Sequence, residues 1–159
     1  MDNLNRDTSC CFTGHRPEKL ARTEAEVRAA LKTAILEAFG DGYNTFITGM
    51  AQGVDTWAGE EVIGLKNSGA DVFLVCAIPY KAKTGGWQKS RRDEYERLIN
   101  AADSVVYISD DYYMGVHQRR DRWMVDNSAR VIAVYDGAPG GTRWTVNYAR
   151  SEGVELVLL

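Results

Sequence analysis

Three short segments of this 159-residue chain combine glycine with groups that bind anions: Thr13-Gly14-His15-Arg16-Pro17, Thr48-Gly49-Met50-Ala51-Gln52-Gly53, and Asp136-Gly137-Ala138-Pro139-Gly140-Gly141-Thr142. Glycine admits positive φ and close backbone approach, and the free N–H groups at a helix start attract phosphate. Gly140-Gly141-Thr142, opening a helix, therefore reads as an anion cradle to which the Thr142 hydroxyl adds a donor. Arg16 carries a planar, permanently charged guanidinium that can clamp a phosphate with two hydrogen bonds, a geometry lysine cannot match. Gly14, His15, Arg16, Gly49, Met50, Gly53, Gly140, Gly141 and Thr142 are thus the candidate phosphate-binding set. Each glycine pair taken singly is also a common tight turn, and Arg16 beside Pro17 also fits a solvated surface arginine.

Other residues near these loops admit two readings each. Asp55 either caps the helix after the second loop or touches ribose hydroxyls or a phosphate-bound metal, and the roles can coexist. His15 lies within reach of the same site, but a histidine without a neighbouring nucleophile or carboxylate in the sequence is not a catalytic signature. His117 has less to support it. Trp87, Tyr80, Trp57 and Tyr95 are core aromatics or a stacking wall for a base; Tyr80 and Trp87 are the stronger candidates for a base wall or lid because they follow the third strand. Gln118-Arg119-Arg120-Asp121-Arg122 reads first as a solvated helix start with internal ion pairs, and second as arginines reaching a ligand or a neighbouring subunit. No metal-ligand spacing is present. Cys10, Cys11 and Cys76 lack a CxxC pattern and read as buried, reduced thiols.

The elements that must position these loops alternate between short apolar runs and segments of helical period. Predicted strands are 9–13, 43–48, 71–78, 104–108, 131–135 and 154–158. Between the first two, Val27, Leu31, Ala34, Ile35 and Ala38 form an apolar stripe, with Thr23 and Glu26 as a capping box and Gly40 as a stop. Val54, Ala58, Val62 and Leu65 mark a second helix ended by Gly69, and Tyr95, Leu98, Ile99 and Ala102 a third. The fourth is placed at 119–129 with Trp123 and Met124 inward, the fifth at 142–150 before Gly153. This βα rhythm predicts an α/β, three-layer Rossmann-like fold with a mostly parallel central sheet and helices on both faces. The glycine loops leave strand ends, so all three would open on one edge, where ligands bind in such sheets.

With 45% hydrophobic residues, the chain suits one domain over 1–159, with 1–8 loosely ordered. The net charge of −3 offers no broad basic field for a nucleic acid, and the apolar runs fall short of the roughly 20 residues a membrane span needs. A cytoplasmic protein is expected.

Jointly, Phe12-Thr13-Gly14-His15-Arg16-Pro17, Thr48-Gly49-Met50-Ala51-Gln52-Gly53-Val54-Asp55 with Trp57 and Glu60, Trp87 and Tyr95, Arg119-Arg120-Asp121 through Met124-Val125-Asp126-Asn127-Ser128, and Tyr135-Asp136-Gly137 through Gly140-Gly141-Thr142 resemble the YpsA-type family of the SLOG superfamily. That superfamily also holds DprA and the LOG-type phosphoribohydrolases. The resemblance implies a Rossmannoid fold binding nucleotides or nucleotide-derived ligands such as ADP-ribose or NAD derivatives. LOG-type enzymes carry a glutamate for N-glycosidic cleavage where this chain has Thr145, and a hydroxyl cannot replace that carboxylate. The expectation is a binding or sensing protein in stress or cell-envelope physiology, with a bound nucleotide as its only expected cofactor and with homo-oligomerisation. The alternative is a nucleotide-processing hydrolase using Glu60 or Asp55. DprA-like single-stranded DNA binding is the weaker analogy, given the acidic single domain.

Overall fold

The computed structural model describes residues 4–81 and 84–159. Its six strands are β1 (Ser9–Gly14), β2 (Thr45–Thr48), β3 (Phe73–Tyr80), β4 (Ser104–Ser109), β5 (Arg130–Val134) and β6 (Glu155–Leu158). They form one sheet in the order β4-β3-β2-β1-β5-β6, and every neighbouring pair is parallel. Between them run α1 (Glu24–Gly40), α2 (Val54–Asn67), α3 (Lys89–Ala101), α4 (Val116–Asp126) and α5 (Gly141–Ser151). This is a three-layer Rossmann-like α/β fold.

Alternation along the central strands sorts the side chains between the two layers of helices. Cys10, Phe12, Phe46, Leu74, Cys76, Ile132 and Val134 point to one face and meet the buried stripes of α1 and α2 and Leu98 of α3. Cys11, Ile47, Val75, Ala77 and Val131 point to the other and meet Met124 and Val125 of α4 and Ala149 of α5. The strands buried on both faces are the near-continuous apolar runs of the sequence. All three thiols are free and buried, and burial pushes Cys11 and Cys76 up to about 12, so they stay protonated at neutral pH.

Several boundaries move from their predicted places. Helix α1 starts at the Thr23 cap, whose Oγ1 accepts from the Glu26 N–H, but it runs through Gly40. The left-handed residue that ends it is Gly42, at φ 101°. Trp57 belongs to the core with α2. Helix α4 begins three residues before the expected Arg119, behind a left-handed Gly115. Arg6–Thr8 form a 3-10 turn in which the Asp7 N–H donates to the Asn5 side-chain Oδ1 and the Thr8 N–H to the Asn5 backbone carbonyl, while residues 1–3 of the stretch expected to be loose lie outside the described residues. Among the described residues no helix is long and apolar enough to cross a membrane.

Candidate functional site

Strand order reverses between β1 and β5, because β2 to β4 extend to one side of β1 and β5 and β6 to the other. A cleft of about 650 Å³ opens there at the carboxyl ends of the strands, where open parallel sheets bind ligands. The three glycine loops all reach it.

The first two loops interlock through glycines that cannot carry a side chain. A Cβ on Gly14 would stand 2.5 Å from Cγ2 of Val54, the first residue of α2, and one on Gly53 would stand 2.7 Å from Cδ of Pro17. A Cβ on Gly49 would meet Asp55 Oδ2 at 2.8 Å and Arg120 Nη1 at 3.0 Å. The loop between β2 and α2 is further tied by side chains. Thr48 Oγ1 donates to the Asp55 carbonyl at 2.7 Å, Thr56 Oγ1 donates to the Ala51 carbonyl at 2.9 Å, and Asp55 Oδ2 accepts from the Ala51 N–H at 3.3 Å. Met50 sits inside this loop at φ 62°, a left-handed conformation that a non-glycine residue adopts at a cost.

Helix α5 presents Gly141 and Thr142 of its first turn to the cleft, and α2 presents Asp55 of its own, behind a covered Gly53 and Val54. Gly53 (φ 96°) caps α2 and Gly140 (φ 141°) caps α5, neither with a capping side chain, whereas α1, away from the cleft, is capped by Thr23. Such ends carry partial positive charge and unpaired donors. Asp55 is therefore not the helix cap the sequence suggested; Gly53 is.

Most predicted site residues come together. Gly14, His15, Arg16, Gly49, Met50, Asp55, Tyr80, Trp87, Gly140, Gly141 and Thr142 line the cleft. Gly53 lies beneath it, packed on Pro17. Glu60 does not reach it: its carboxylate accepts from Arg28 at 2.9 Å in a cluster with Glu24 and Glu61 between α1 and α2. Thr145 is buried, and its hydroxyl donates to the Gly141 carbonyl at 2.9 Å within α5.

Two cleft residues have partners that the sequence did not reveal. His15 is 6% exposed, its ring 5.6 Å from that of Tyr135, and its Nε2 lies 3.0 Å from Asp136 Oδ1 but out of line for a hydrogen bond, so this buried nitrogen has no hydrogen-bond partner. Asp136 in turn accepts from the Ala138 N–H, which holds its carboxyl below the ordinary range. Arg120, read from sequence as part of a solvated charge run, is instead 6% exposed. Its Nη1 donates to the Gly49 carbonyl and its Nε to Asp121 at 2.8 Å, so α4 is pinned to the loop after β2. His117, given little weight from sequence, also lines the cleft.

At the β3 end the walls are aromatic. Trp87 packs edge-on with Tyr95 at 5.1 Å and carries the Arg91 guanidinium over its ring at 4.1 Å, while Tyr80 meets His117 at 5.8 Å and Tyr112 at 5.5 Å. These rings come from the two sides of the sheet, Trp87 ahead of α3 and His117 on α4.

Burial pushes the Asp55 carboxyl up to about 7, the nearby Arg120 charge offsetting only part of that cost. The folded protein thus keeps a proton that the unfolded chain releases near the ordinary value of 3.8. Stability from this group is whole below 3.8 and drains away as pH rises through about 7. Asp55→Asn should therefore gain melting temperature on the wild type between about pH 5 and pH 8, most of it by pH 8. Thermal melts across that range would check it, and a difference independent of pH would contradict it.

Comparison with known proteins agrees with this architecture. A YpsA family model, described as the YspA SLOG family, matches residues 10–153. The SPbeta prophage-derived protein YoqJ of Bacillus subtilis (strain 168) is 31% identical over 117 residues, covering 66% of this chain and 68% of its own. A UPF0398 protein of Bacillus thuringiensis (strain Al Hakam) is 26% identical over 150 residues, 89% of this chain and 82% of its own. Among solved structures, DNA processing protein A from Helicobacter pylori, described for its single-stranded DNA binding mode, superposes with a TM-score of 0.69 at 16% identity, over 98% of this chain and 66% of that one. DNA processing protein A (DprA) from Streptococcus pneumoniae gives 0.68 at 16%, over 98% and 51%. The chain thus spans between half and two thirds of these two proteins, and at that identity the likeness is one of fold. With its glycine-loop motifs gathered on one cleft and the family match running across nearly the whole fold, the chain belongs to the YpsA family of SLOG proteins.

Proposed function

We propose that this protein binds a nucleotide-derived, phosphate-bearing ligand, of the ADP-ribose, NAD or nucleoside-phosphate type, at the cleft over β1 and β5, and acts as a binding or sensing protein. The observation that carries this reading is one convergence: the uncapped N-terminus of α5 opens on the same cleft as buried Arg120 and a buried His15 nitrogen that has Asp136 Oδ1 at 3.0 Å but no aligned hydrogen bond. A buried polar group left unpaired is costly, and an anion at this place would satisfy the helix donors and the imidazole together. Arg16, exposed on the first loop, supplies a further guanidinium, and Trp87 and Tyr80 supply the surface for a base.

Calorimetric titration with ADP-ribose, NAD and AMP tests the reading. At least one should bind, and Arg16→Ala should weaken it by about tenfold, near 1.4 kcal/mol. Binding of none, or unchanged binding by Arg16→Ala, would remove the proposal.

One observation favours a hydrolase as the second reading: Asp55, lining the cleft with its carboxyl near neutral pKa, has the protonation behaviour of a general acid or base. Against it, the position that would carry the LOG-type glutamate holds a threonine engaged with its own helix, and Glu60 lies outside the cleft. Incubation with nucleoside monophosphates and NAD derivatives, followed by analysis for released base or ribose phosphate, separates the two.

A further inference from the structure

The two edges of the sheet are closed to different degrees. At one edge, β6 has four residues and begins with Glu155, whose carboxylate pairs with Arg130. At the other, β4 has six, Ser104-Val105-Val106-Tyr107-Ile108-Ser109, with no charge, proline or glycine among them. Charges and prolines are the usual devices that keep an edge strand from pairing with another chain, and β4 has neither within its length. Only β3 pairs with it, and among the described residues no turn or loop backbone bonds to its outer side. None of its six residues is buried, and Tyr107 is 44% exposed.

Charge sits just outside the strand, one lysine and one aspartate at each end. Lys66 pairs with Asp103 ahead of Ser104. Beyond Ser109, Lys81 Nζ lies 3.1 Å from Asp110 Oδ1 and 5.7 Å from the centre of the Tyr107 ring. An edge with the same two opposite charges at both ends is complementary to a copy of itself turned end for end, because the lysine of each end then approaches the aspartate of the other.

The register follows from the pleat. Val105 packs with the layer of α1 to α3 and Val106 with the layer of α4 and α5, so Tyr107 shares the face of Val105. Residues directly opposed in an antiparallel pair share a face, so a two-fold axis relating two β4 strands must pass through a residue rather than between two. An axis through Tyr107 would set Asp103 against Asp111 of the second copy, like charges across the strands. An axis through Val106 instead sets each Tyr107 against Val105 of the other copy, a favourable pairing of an aromatic with a β-branched side chain. It also brings Lys81, lying over Tyr107, toward the other copy's Asp103.

We propose that two copies of this chain join at β4, antiparallel about a two-fold axis through Val106, to make one continuous twelve-stranded sheet. The strands of the two copies run in opposite directions, so their clefts face opposite ways, and the interface does not depend on the ligand reading.

Sedimentation equilibrium of the full chain at micromolar concentrations is the test, and the wild type should have the mass of two chains. Tyr107→Asp, at an exposed position and with the fold verified by circular dichroism, should raise the dimer Kd at least about tenfold, since it sets a carboxylate beside the other copy's Asp103. The three native thiols are buried, so a short bis-maleimide should join Val106→Cys chains to each other and leave Leu158→Cys, exposed on β6, unjoined. A single-chain mass for the wild type, a dimer indifferent to Tyr107→Asp, or cross-linking through Leu158→Cys rather than Val106→Cys would each overturn the proposal.

Discussion

Arg120→Ala should damage stability and ligand binding together, more than any other single truncation on the cleft. The guanidinium is buried, and it holds the Gly49 carbonyl, the Asp121 carboxylate and the field around Asp55. Removing it orphans a carbonyl at the end of β2, frees Asp121, and deprives Asp55 of the positive charge that offsets its burial. Breaking one side of a buried charged network costs about 3 kcal/mol. For a chain of this size each kcal/mol lowers the melting temperature by roughly 2–4 °C, so a fall of roughly 6–12 °C is expected. If the cleft is the binding site proposed above, affinity for ADP-ribose should drop by about a hundredfold, near 2.7 kcal/mol, because the lost group lines the cleft and also ties down the loop after β2. Arg120→Lys should recover part of the stability and little of the affinity, since a lysine restores the charge without the fork. Melting curves and calorimetry on both variants check this, and wild-type behaviour from Arg120→Ala would show that the buried guanidinium is incidental.

Gly14→Ala is expected to have the second largest effect, through sterics alone. The added Cβ would fall 2.5, 2.6 and 2.7 Å from Cγ2, Cβ and Cγ1 of Val54. Val54 cannot rotate away: its Cβ is among the crowded atoms, it is β-branched, it is 1% exposed, and it begins α2. The helix start itself must move, and with it the Gly53–Pro17 contact and the left-handed Met50 loop. Overpacking of this kind costs about 1–3 kcal/mol, or roughly 2–12 °C in melting temperature. Gly141→Ala is the matched control, because a Cβ there has no neighbour within 4 Å, and its melting temperature should stay close to wild type. Shortening the obstruction in Gly14→Ala/Val54→Ala should restore part of the loss. Equal melting temperatures for Gly14→Ala and Gly141→Ala would refute the close-packing explanation.

Much of this architecture was legible because its signals are local. Alternating βα rhythm located all six strands, and the apolar run now in β3 was rightly expected to be interior. The glycine loops could be placed on one edge because consecutive parallel strands must all end on the same side. The details that depend on three dimensions were not visible in this way. Gly40 and Gly42 are equally plausible stops in one dimension, and only the left-handed φ at Gly42 distinguishes them. Arg120 lies four residues before Met124, on the face the sequence turns inward, but it sits in a run of charges that argues for solvent, and the Gly49 carbonyl that receives its guanidinium is 71 positions away in sequence. His15 and Asp136 both lie in glycine loops, but they are 121 positions apart in sequence, and only β1–β5 pairing brings them to 3.0 Å. Glu60 failed as a site candidate for the same reason: its helix carries it away from the strand ends, toward Arg28 of α1.

The most direct measurement is a crystal structure of the protein soaked with ADP. The expected result is density in the cleft over β1 and β5, with one phosphate against the N–H groups of Gly140–Thr142 and the ring beside Trp87 and Tyr80. ADP bound elsewhere on the fold, or a saturating soak that leaves this cleft without ADP, would contradict the assignment of these loops as a phosphate site.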